Sequence, residues 1–425
     1  MTIVLFLGAL LASMLIGVPI AFALLISGAV LMLQLNMFSG QIIAENLIHG
    51  ADSYPLLAVP FFLLAGEIMN AGGLSRRLID LAMAIIGHVR GGLGYVTIVA
   101  AVLMAALSGS AVADAAMLAA LLLPMMVAAG HAPNRSAGLI AASGIIAPII
   151  PPSIGFIVFG VAANVSISRL FMAGITPGLM LGAALWITWW WLTRQEAGAP
   201  RARSSGAEVL AAFSRAAFAL VMPLIIIVGL KMGVFTPTEA GVVAAVYAVA
   251  VSTLVYRELT LARLYEACVD AVRTTAVVMF LVAAAAVSAW LITVANIPQQ
   301  VVALLDPLID SPVLLMAAIM VLVMLVGTAL DLTPTILILV PVLMPLVKAA
   351  GIDPVYFGVL FMINCSIGLI TPPVGVVLNT VAGVGRLNVD QVTAGVLPFM
   401  VAQFALMFLL VLFPDLVIVP ARWFY

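Results

Sequence analysis

The sequence predicts an all-α polytopic membrane protein built as an inverted structural repeat, with two re-entrant helical hairpins and two helices broken at Pro-Pro pairs. Three observations predict it: an apolar composition too rich for a water-soluble domain, an internal offset of 221 residues, and a lopsided placement of Lys and Arg. Of 425 residues 65% are hydrophobic, and 16 basic plus 17 acidic residues make only 8% charged, about a third of the usual density of soluble domains. At ~20 apolar residues per spanning helix, this composition caps the spans at about 14. The net charge of −1, with no basic run outside one short loop, excludes nucleic acid as a partner. Cys268 and Cys365 lie far apart with no CxxC or ligand-spaced pattern and read as packing residues.

The N-terminal stretch MTIVLFLGALLASMLIG lacks a basic leader and stays apolar beyond the length of a signal peptide, so it reads as a retained membrane segment. Residues 1–35 admit two readings, one long tilted span or two short ones meeting at Gly17-Val18-Pro19. The longest polar stretch, Arg194 to Arg215, divides the chain nearly in half. It is expected as a cytoplasmic linker (194–215) between a first repeat (1–193) and a second (216–425). A shift of 221 superposes Pro124 on Pro345, Ala128-Ala129-Gly130 on Ala349-Ala350-Gly351 and Pro133 on Pro354. It continues to Pro151-Pro152 on Pro372-Pro373, Ala173-Gly174 on Ala394-Gly395 and Pro177 on Pro398. Keeping one offset through six landmarks points to a duplication over roughly 106–180 and 327–401.

Basic residues concentrate on the cytoplasmic side, and that rule orders the segments. With the Arg-rich linker inside, 170–193 spans, and 136–168 spans with a break at Pro151-Pro152, returning the turn from His131 to Arg135 to the inside. The stretch 93–129, interrupted by LSGSAVAD, reads as a re-entrant hairpin that starts and ends inside, so the loop of Arg76, Arg77 and Arg90 is inside too. Forward from the linker, 216–232 and 237–256 span as a pair, 274–296 exits, and the next loop, with Asp306 and Asp310, is outside. The second hairpin, 311–350, then enters from outside, and 355–385, broken at Pro372-Pro373, delivers Arg386 inside. Twelve of the 16 basic residues fall inside; Arg169, Lys231, Lys348 and Arg422 are the exceptions. The copies are therefore inverted.

This topology brings two hairpin tips, LSGSAVAD and GTALDLTPT, to the bilayer midplane opposite two Pro-Pro breaks. Unpaired backbone groups survive there only when buried in protein or lining a solvated cavity, with half-helix N-termini facing anions and unwound carbonyls facing cations. The first tip supplies Ser108, Gly109, Ser110 and Asp114, hard oxygen donors suited to an alkali cation; the competing reading is helix capping by Ser110 and Asp114. The second supplies Asp331, Thr333 and Thr335 beside Pro334. IIPPS and ITPPVG remove consecutive amide donors and free carbonyls upstream, either as kinks or as parts of sites, with Ser153, Thr371 and Asn379 nearby. Glu67 reads as a hydrogen bond between helices, and Glu239 as half of a capping box with Thr236. Trp189-Trp190-Trp191 reads as an interfacial anchor, and the three histidines as loop residues without metal spacing. No GxxxxGK[ST] or HExxH occurs, so the chain is not itself an ATP-driven pump or a zinc protease. An aspartyl-protease dyad of Asp114 and Asp331 is the enzyme alternative, disfavoured because Thr and Pro neighbours at a hairpin tip explain both acids.

In VPFFLLAGEIMNAGG, LSGSAVAD, IIAPIIPPS, FTPTEAG, LDLTPTILILVPVLMP and NCSIGLITPPVG, the chain resembles the large membrane (DctM-like) subunit of tripartite ATP-independent periplasmic (TRAP) transporters, and the resemblance runs its whole length. The resemblance implies an elevator-type transporter of the ion-transporter superfamily in the bacterial inner membrane, a secondary importer that is not an enzyme and carries no cofactor beyond coupling sodium ions. It implies two partners, a small four-helix membrane subunit and a periplasmic solute-binding protein. Members resembling this chain import C4-dicarboxylates, sialic acid or sugar acids such as diketogulonate, the sugar-acid branch being nearest. Carried onto this chain, one sodium site involves Ser108, Gly109, Ser110 and Asp114 with Pro151, Pro152 and Ser153. The other involves Gly327, Asp331 and Thr335 with Thr371, Pro372 and Pro373. No Lys or Arg reaches the expected midplane, so a carboxylate substrate would be held by sodium, half-helix amides and the side chains of Ser110, Ser153, Thr333 and Asn379. Two further readings stay open: proton coupling on the same fold, with Asp114 or Asp331 as carrier, and a non-transporting channel or membrane enzyme.

Overall fold

The computed structural model describes residues 2–194 and 202–423. Among them are α-helices, one 3-10 turn and one π turn, and no strand. The first half carries α1 (Thr2–Leu15), α2 (Ile20–Gln34), α3 (Gly40–Ala51), α4 (Ala58–Ala71), α5 (Leu74–Ile86), α6 (Gly92–Ser108), α7 (Ala111–Ala128), α8 (Pro133–Gly144), α9 (Ile154–Ala163) and α10 (Ile167–Thr193). The second half carries α11 (Gly206–Lys231), α12 (Pro237–Ala250), α13 (Leu261–Val294), α14 (Ile297–Ile309), α15 (Pro312–Gly327), α16 (Leu332–Ala349), α17 (Pro354–Gly368), α18 (Val376–Gly385), α19 (Val389–Leu412) and α20 (Asp415–Arg422). Eight helical segments of 18 residues or more are apolar enough to cross a membrane.

The offset of 221 governs the helices as well as the landmarks. It carries α7 onto α16 end for end, and Ser39, the N-cap of α3, onto Thr260, the N-cap of α13. It also lays α2 over α12 and its π turn, so the duplication extends well beyond 106–180 and 327–401. The copies differ where the first has Asp52, Ser53, Tyr54 and Pro55 between α3 and α4. Proline ends a helix by removing a donor and crowding the preceding turn; the equivalent of Pro55 is Ala276, and α13 runs through as one helix of 34 residues. Within the N-terminal stretch, residues 2–35 form two helices, joined at Gly17 with φ +85°.

Contacts between helix ends establish which ends share a side. Both ends of the hairpin α6–α7 meet Trp189 on α10: its Nε1 donates to Gly91 O at 2.9 Å, and its ring lies 5.3 Å from that of His131. The hairpin therefore returns to the side it left. Arg135 Nη1 donates to Leu192 O at 3.5 Å, and Arg77 pairs with Glu258 at 2.5 Å, placing these basic groups at ends that share a side as the charge rule requires. Lys231 donates to Trp423 O at 3.1 Å, joining two ends assigned to the other side.

Several boundaries and roles differ from the sequence reading. The outer loop of Asp306 and Asp310 is largely the helix α14, and Arg76 and Arg77 sit on α5, its counterpart in the first copy; both are amphipathic helices that Pro and charge made look like loops. Helix α11 starts at Gly206 inside the expected linker, because Ser205 and Glu208 form a capping box; residues 195–201 lie outside the described residues. Trp189 is fully buried and only Trp190 and Trp191 are exposed, as an interfacial anchor requires. His49 is on α3 rather than in a loop. The capping box of Thr236 and Glu239 is present, whereas among the described residues no side-chain hydrogen bond joins Glu67 to another helix.

Two bundles result. Uninterrupted helices pack as α4 on α12 and α13, with α2 and α3 against α13; interrupted ones pack as α8 on α19, α7 on α8 and α18, α9 on α16, and α15 on α17. The crossing of α8 and α19 is backbone on backbone, since a methyl on Gly138 or Gly395 would collide with main-chain atoms of the other helix. For sidedness, Ser204→Cys and Leu308→Cys are expected to react with an impermeant thiol reagent from opposite faces of the membrane; labelling from one face would overturn the inverted topology.

Candidate functional site

The first tip is built by a change of hand. Helix α6 ends at Gly109 in the left-handed region, φ +61°, and Ser110 starts α7 by accepting from Ala113 N at 3.4 Å. Glycine is needed twice over, for that φ and because a Cβ would sit 2.6 Å from Pro152 O. The tip thus lies directly against the first break. Asp114, 1% exposed, takes one hydrogen bond, from Ser108 Oγ to Oδ1 at 2.6 Å, while Oδ2 has no partner. Ser110 is a cap, as the bland reading held; Asp114 is not, and a buried carboxylate with a vacant oxygen needs a counter-charge or a proton.

In the first break, Pro151 and Pro152, joined by a cis bond, offer no amide donors. Ser153 caps α9 by accepting from Phe156 N at 3.2 Å and donates its own proton to Pro148 O. Its hydroxyl is fully buried and committed to the chain.

The second junction repeats this plan with other donors. Asp331 caps α16, accepting from Leu332 N at 2.8 Å, and Thr335 Oγ1 donates to Asp331 O at 2.8 Å. Gly327 packs on the break through Gly368, where a Cβ would come within 2.7 Å of Gly327 O. Thr371 Oγ1 donates to Ile367 O at 2.8 Å, ahead of the cis pair Pro372-Pro373. Asp331, Pro372, Pro373 and Asn379 are all exposed, and Asn379 Nδ2 donates to Val374 O at 2.6 Å. Asp331 and Thr333 line a cavity of about 520 Å³ shared with Phe22 of α2 and Phe280 of α13. No hydrogen bond joins Asp331 or Thr335 to Thr371, Pro372 or Pro373 among the described residues. The first junction is closed and the second open.

At the first junction Gly109 meets Pro152 and Ser108 bonds Asp114 and Ser110, while the expected residues of the second lie more loosely. The expected substrate residues are spread out: Ser110 and Ser153 at the first junction, Thr333 in the cavity, Asn379 on the open side of α18. Two residues escaped the sequence reading. Ser143 Oγ and Asn364 Oδ1 are buried and unpartnered just before the breaks, and the 221 offset makes them equivalents. Gly144, next to Ser143, packs on Ala111 and Ala115 in the first turn of α7, beside Asp114. Asn364 also donates to Met320 O at 2.5 Å. The signal available was the offset itself, which pairs two polar residues inside apolar runs. Carboxylate, hydroxyl, amide and carbonyl oxygens suit a hard alkali cation; no cluster of three His, Cys, Asp or Glu exists among the described residues, and both cysteines are free.

Two helical hairpins aimed at two broken helices, in a duplicated chain, is a transporter's geometry. The family profile described as "Tripartite ATP-independent periplasmic transporter, DctM component" matches residues 7–416. The chain belongs to the DctM family. The DctM chain is 57% identical, over the full length of both proteins, to the 2,3-diketo-L-gulonate TRAP transporter large permease protein YiaN of Escherichia coli. It is 37% identical to the sialic acid TRAP transporter large permease protein SiaM of Vibrio cholerae, covering 94% of this chain and 93% of that one. It is 35% identical to the C4-dicarboxylate TRAP transporter large permease protein DctM of Pseudomonas aeruginosa, with the same coverage. Among solved structures it shares a fold with the Alcanivorax borkumensis YdaH transporter, at a TM-score of 0.62 and 18% identity over 87% of this chain and 86% of that one. As a DctM component it is a multi-pass inner-membrane permease of a tripartite, ATP-independent system, which sets aside the protease dyad and the non-transporting alternatives.

Proposed function

We propose that this DctM permease imports an organic acid by sodium coupling, with sodium held where each hairpin tip meets its broken helix. The observation that carries the reading is the vacant Oδ2 of buried Asp114 at a tip seated on a Pro-Pro break; at the second tip Asp331 is instead the exposed cap of α16. With no Lys or Arg at either junction, bound sodium supplies the positive charge that a carboxylate substrate requires, and the half-helix starts at Ser110 and Asp331 add oriented amides. The interrupted bundle moves as the carrying unit against the uninterrupted one, in the elevator manner. A small membrane subunit and a periplasmic binding protein complete the assembly, the latter delivering a C4-dicarboxylate, sialic acid or sugar acid.

Uptake into proteoliposomes holding all three components tests this. An inward sodium gradient is expected to drive accumulation that equimolar potassium does not, and Asp331→Ala to abolish the sodium stimulation while the protein still inserts. Uptake indifferent to sodium but following a pH gradient would favour proton coupling instead, for which the same unpartnered Asp114 is the suited carrier.

A further inference from the structure

Away from the tip and break junctions, a cavity of about 430 Å³ opens between the two bundles. Its walls differ in chemistry. The uninterrupted bundle contributes Asn46 and His49 of α3, then Asp52 and Ser53 beyond its end; the interrupted bundle contributes only apolar side chains, among them Val158 and Val161 of α9 and Leu337 of α16. Helix α3 is fixed on α13, because a methyl on Gly50 would collide with Ala286. The polar wall is therefore anchored while the facing wall is smooth. Asn46 Nδ2 donates to Ile42 O at 2.9 Å, leaving its amide oxygen for the cavity. His49, Asp52 and Ser53 make no side-chain hydrogen bond among the described residues, and His49 and Asp52 are exposed. In the topology expected from the basic residues the cavity faces the outer side, at the N-terminal end of α4 and beside the second half of α13. Its volume is that of a small-molecule site.

We infer that this wall is an outer vestibule that takes a polyhydroxylated monocarboxylic acid on its way to the tips and disfavours dicarboxylates. The lining holds one carboxylate and no Lys or Arg. A second carboxylate on the solute would face Asp52 with no cation to offset it. Solute hydroxyls instead donate to the Asp52 carboxylate and the Asn46 amide oxygen, and hydrogen bonds to a charged acceptor are roughly twice as strong as neutral ones. The solute's own carboxylate points away from Asp52, toward His49 and Ser53, which can donate to it. The inference rests on the import reading above for its direction of travel, but its test does not need a gradient.

The test places Ser53→Cys in a Cys268→Ser background of the assembled permease in proteoliposomes and follows labelling by an impermeant maleimide added outside. D-gluconate and 2,3-diketo-L-gulonate are expected to slow labelling, and succinate at the same concentration is not. Adding Asp52→Asn, an exposed change that leaves the fold intact, is expected to weaken the sugar-acid protection about tenfold, the size of one hydrogen bond to a charged group, and to let succinate protect. Equal protection by succinate and D-gluconate, protection unmoved by Asp52→Asn, or no labelling at Ser53→Cys from outside would each overturn the vestibule. Sodium-indifferent uptake in the same vesicles would overturn the coupling reading alone, since protection is measured at equilibrium without a gradient.

Discussion

Asp114→Asn is expected to lower sodium-stimulated uptake by about 100-fold, while thermal stability in sodium-free buffer is no lower than that of the native chain. The two halves of this result separate charge from structure. The amide keeps the shape and still accepts from Ser108, whose hydroxyl lies 2.6 Å from Oδ1, so the tip is not unstitched. What disappears is the charge behind the unpartnered Oδ2, and roughly 3 kcal/mol of interaction with a bound cation is the scale that a 100-fold loss represents. An unpaired carboxylate at 1% exposure costs several kcal/mol when nothing neutralises it, so removing it does not weaken the ion-free protein. Sodium stimulation retained in Asp114→Asn would remove Asp114 from the ion site.

Gly109→Ala is expected to be nearly as damaging for a steric reason. Its φ of +61° costs an L residue about 1 kcal/mol, and the added methyl would stand 2.6 Å from Pro152 O, a backbone atom that cannot swing aside. Tip and break must separate, and a displacement of ~1 Å in a pre-organised site is worth about 100-fold. Uptake measured beside Gly383→Ala makes the comparison clean, because nothing lies within 4 Å of a methyl there and the change is expected to stay within about 0.5 kcal/mol of neutral. Equal uptake by the two variants would show that tip and break need not touch.

The sequence carried the architecture because a duplication writes itself in prolines and glycines, which cannot drift without changing the backbone. Pro151-Pro152 and Pro372-Pro373, and the helices α7 and α16, were legible for that reason. The extent of the repeat was not, since outside the landmarks both copies are interchangeable Leu, Val and Ala; only the caps Ser39 and Thr260 mark it there. Trp189 was misread because three consecutive Trp point in three directions around a helix, about 100° apart, so one of them faces inward. The glycines that admit it, Gly91 and Gly94, are far away in sequence, and a methyl on Gly94 would strike the indole ring. Helix α14 was hidden by its prolines and acids, which read as a loop. The asymmetry of the two junctions was out of reach altogether: Asp114 and Asp331 look alike in sequence, and only packing against α2 and α13 reveals that Asp331 opens on a cavity while Asp114 is sealed. Ser143 and Asn364 were legible in principle, as an offset pair of polar residues within apolar helices.

The central claim is that both tip and break junctions hold sodium, and ligand-linked stability reads it most directly, because an ion that binds only the folded protein raises its stability as ln(1 + [Na⁺]/Kd). The melting temperature of the purified permease, titrated with sodium chloride against potassium chloride at constant ionic strength, is predicted to rise with sodium alone, to rise less in Asp114→Asn or Asp331→Ala, and not to rise in the double variant. A sodium-specific rise that persists undiminished in the double variant would contradict the account.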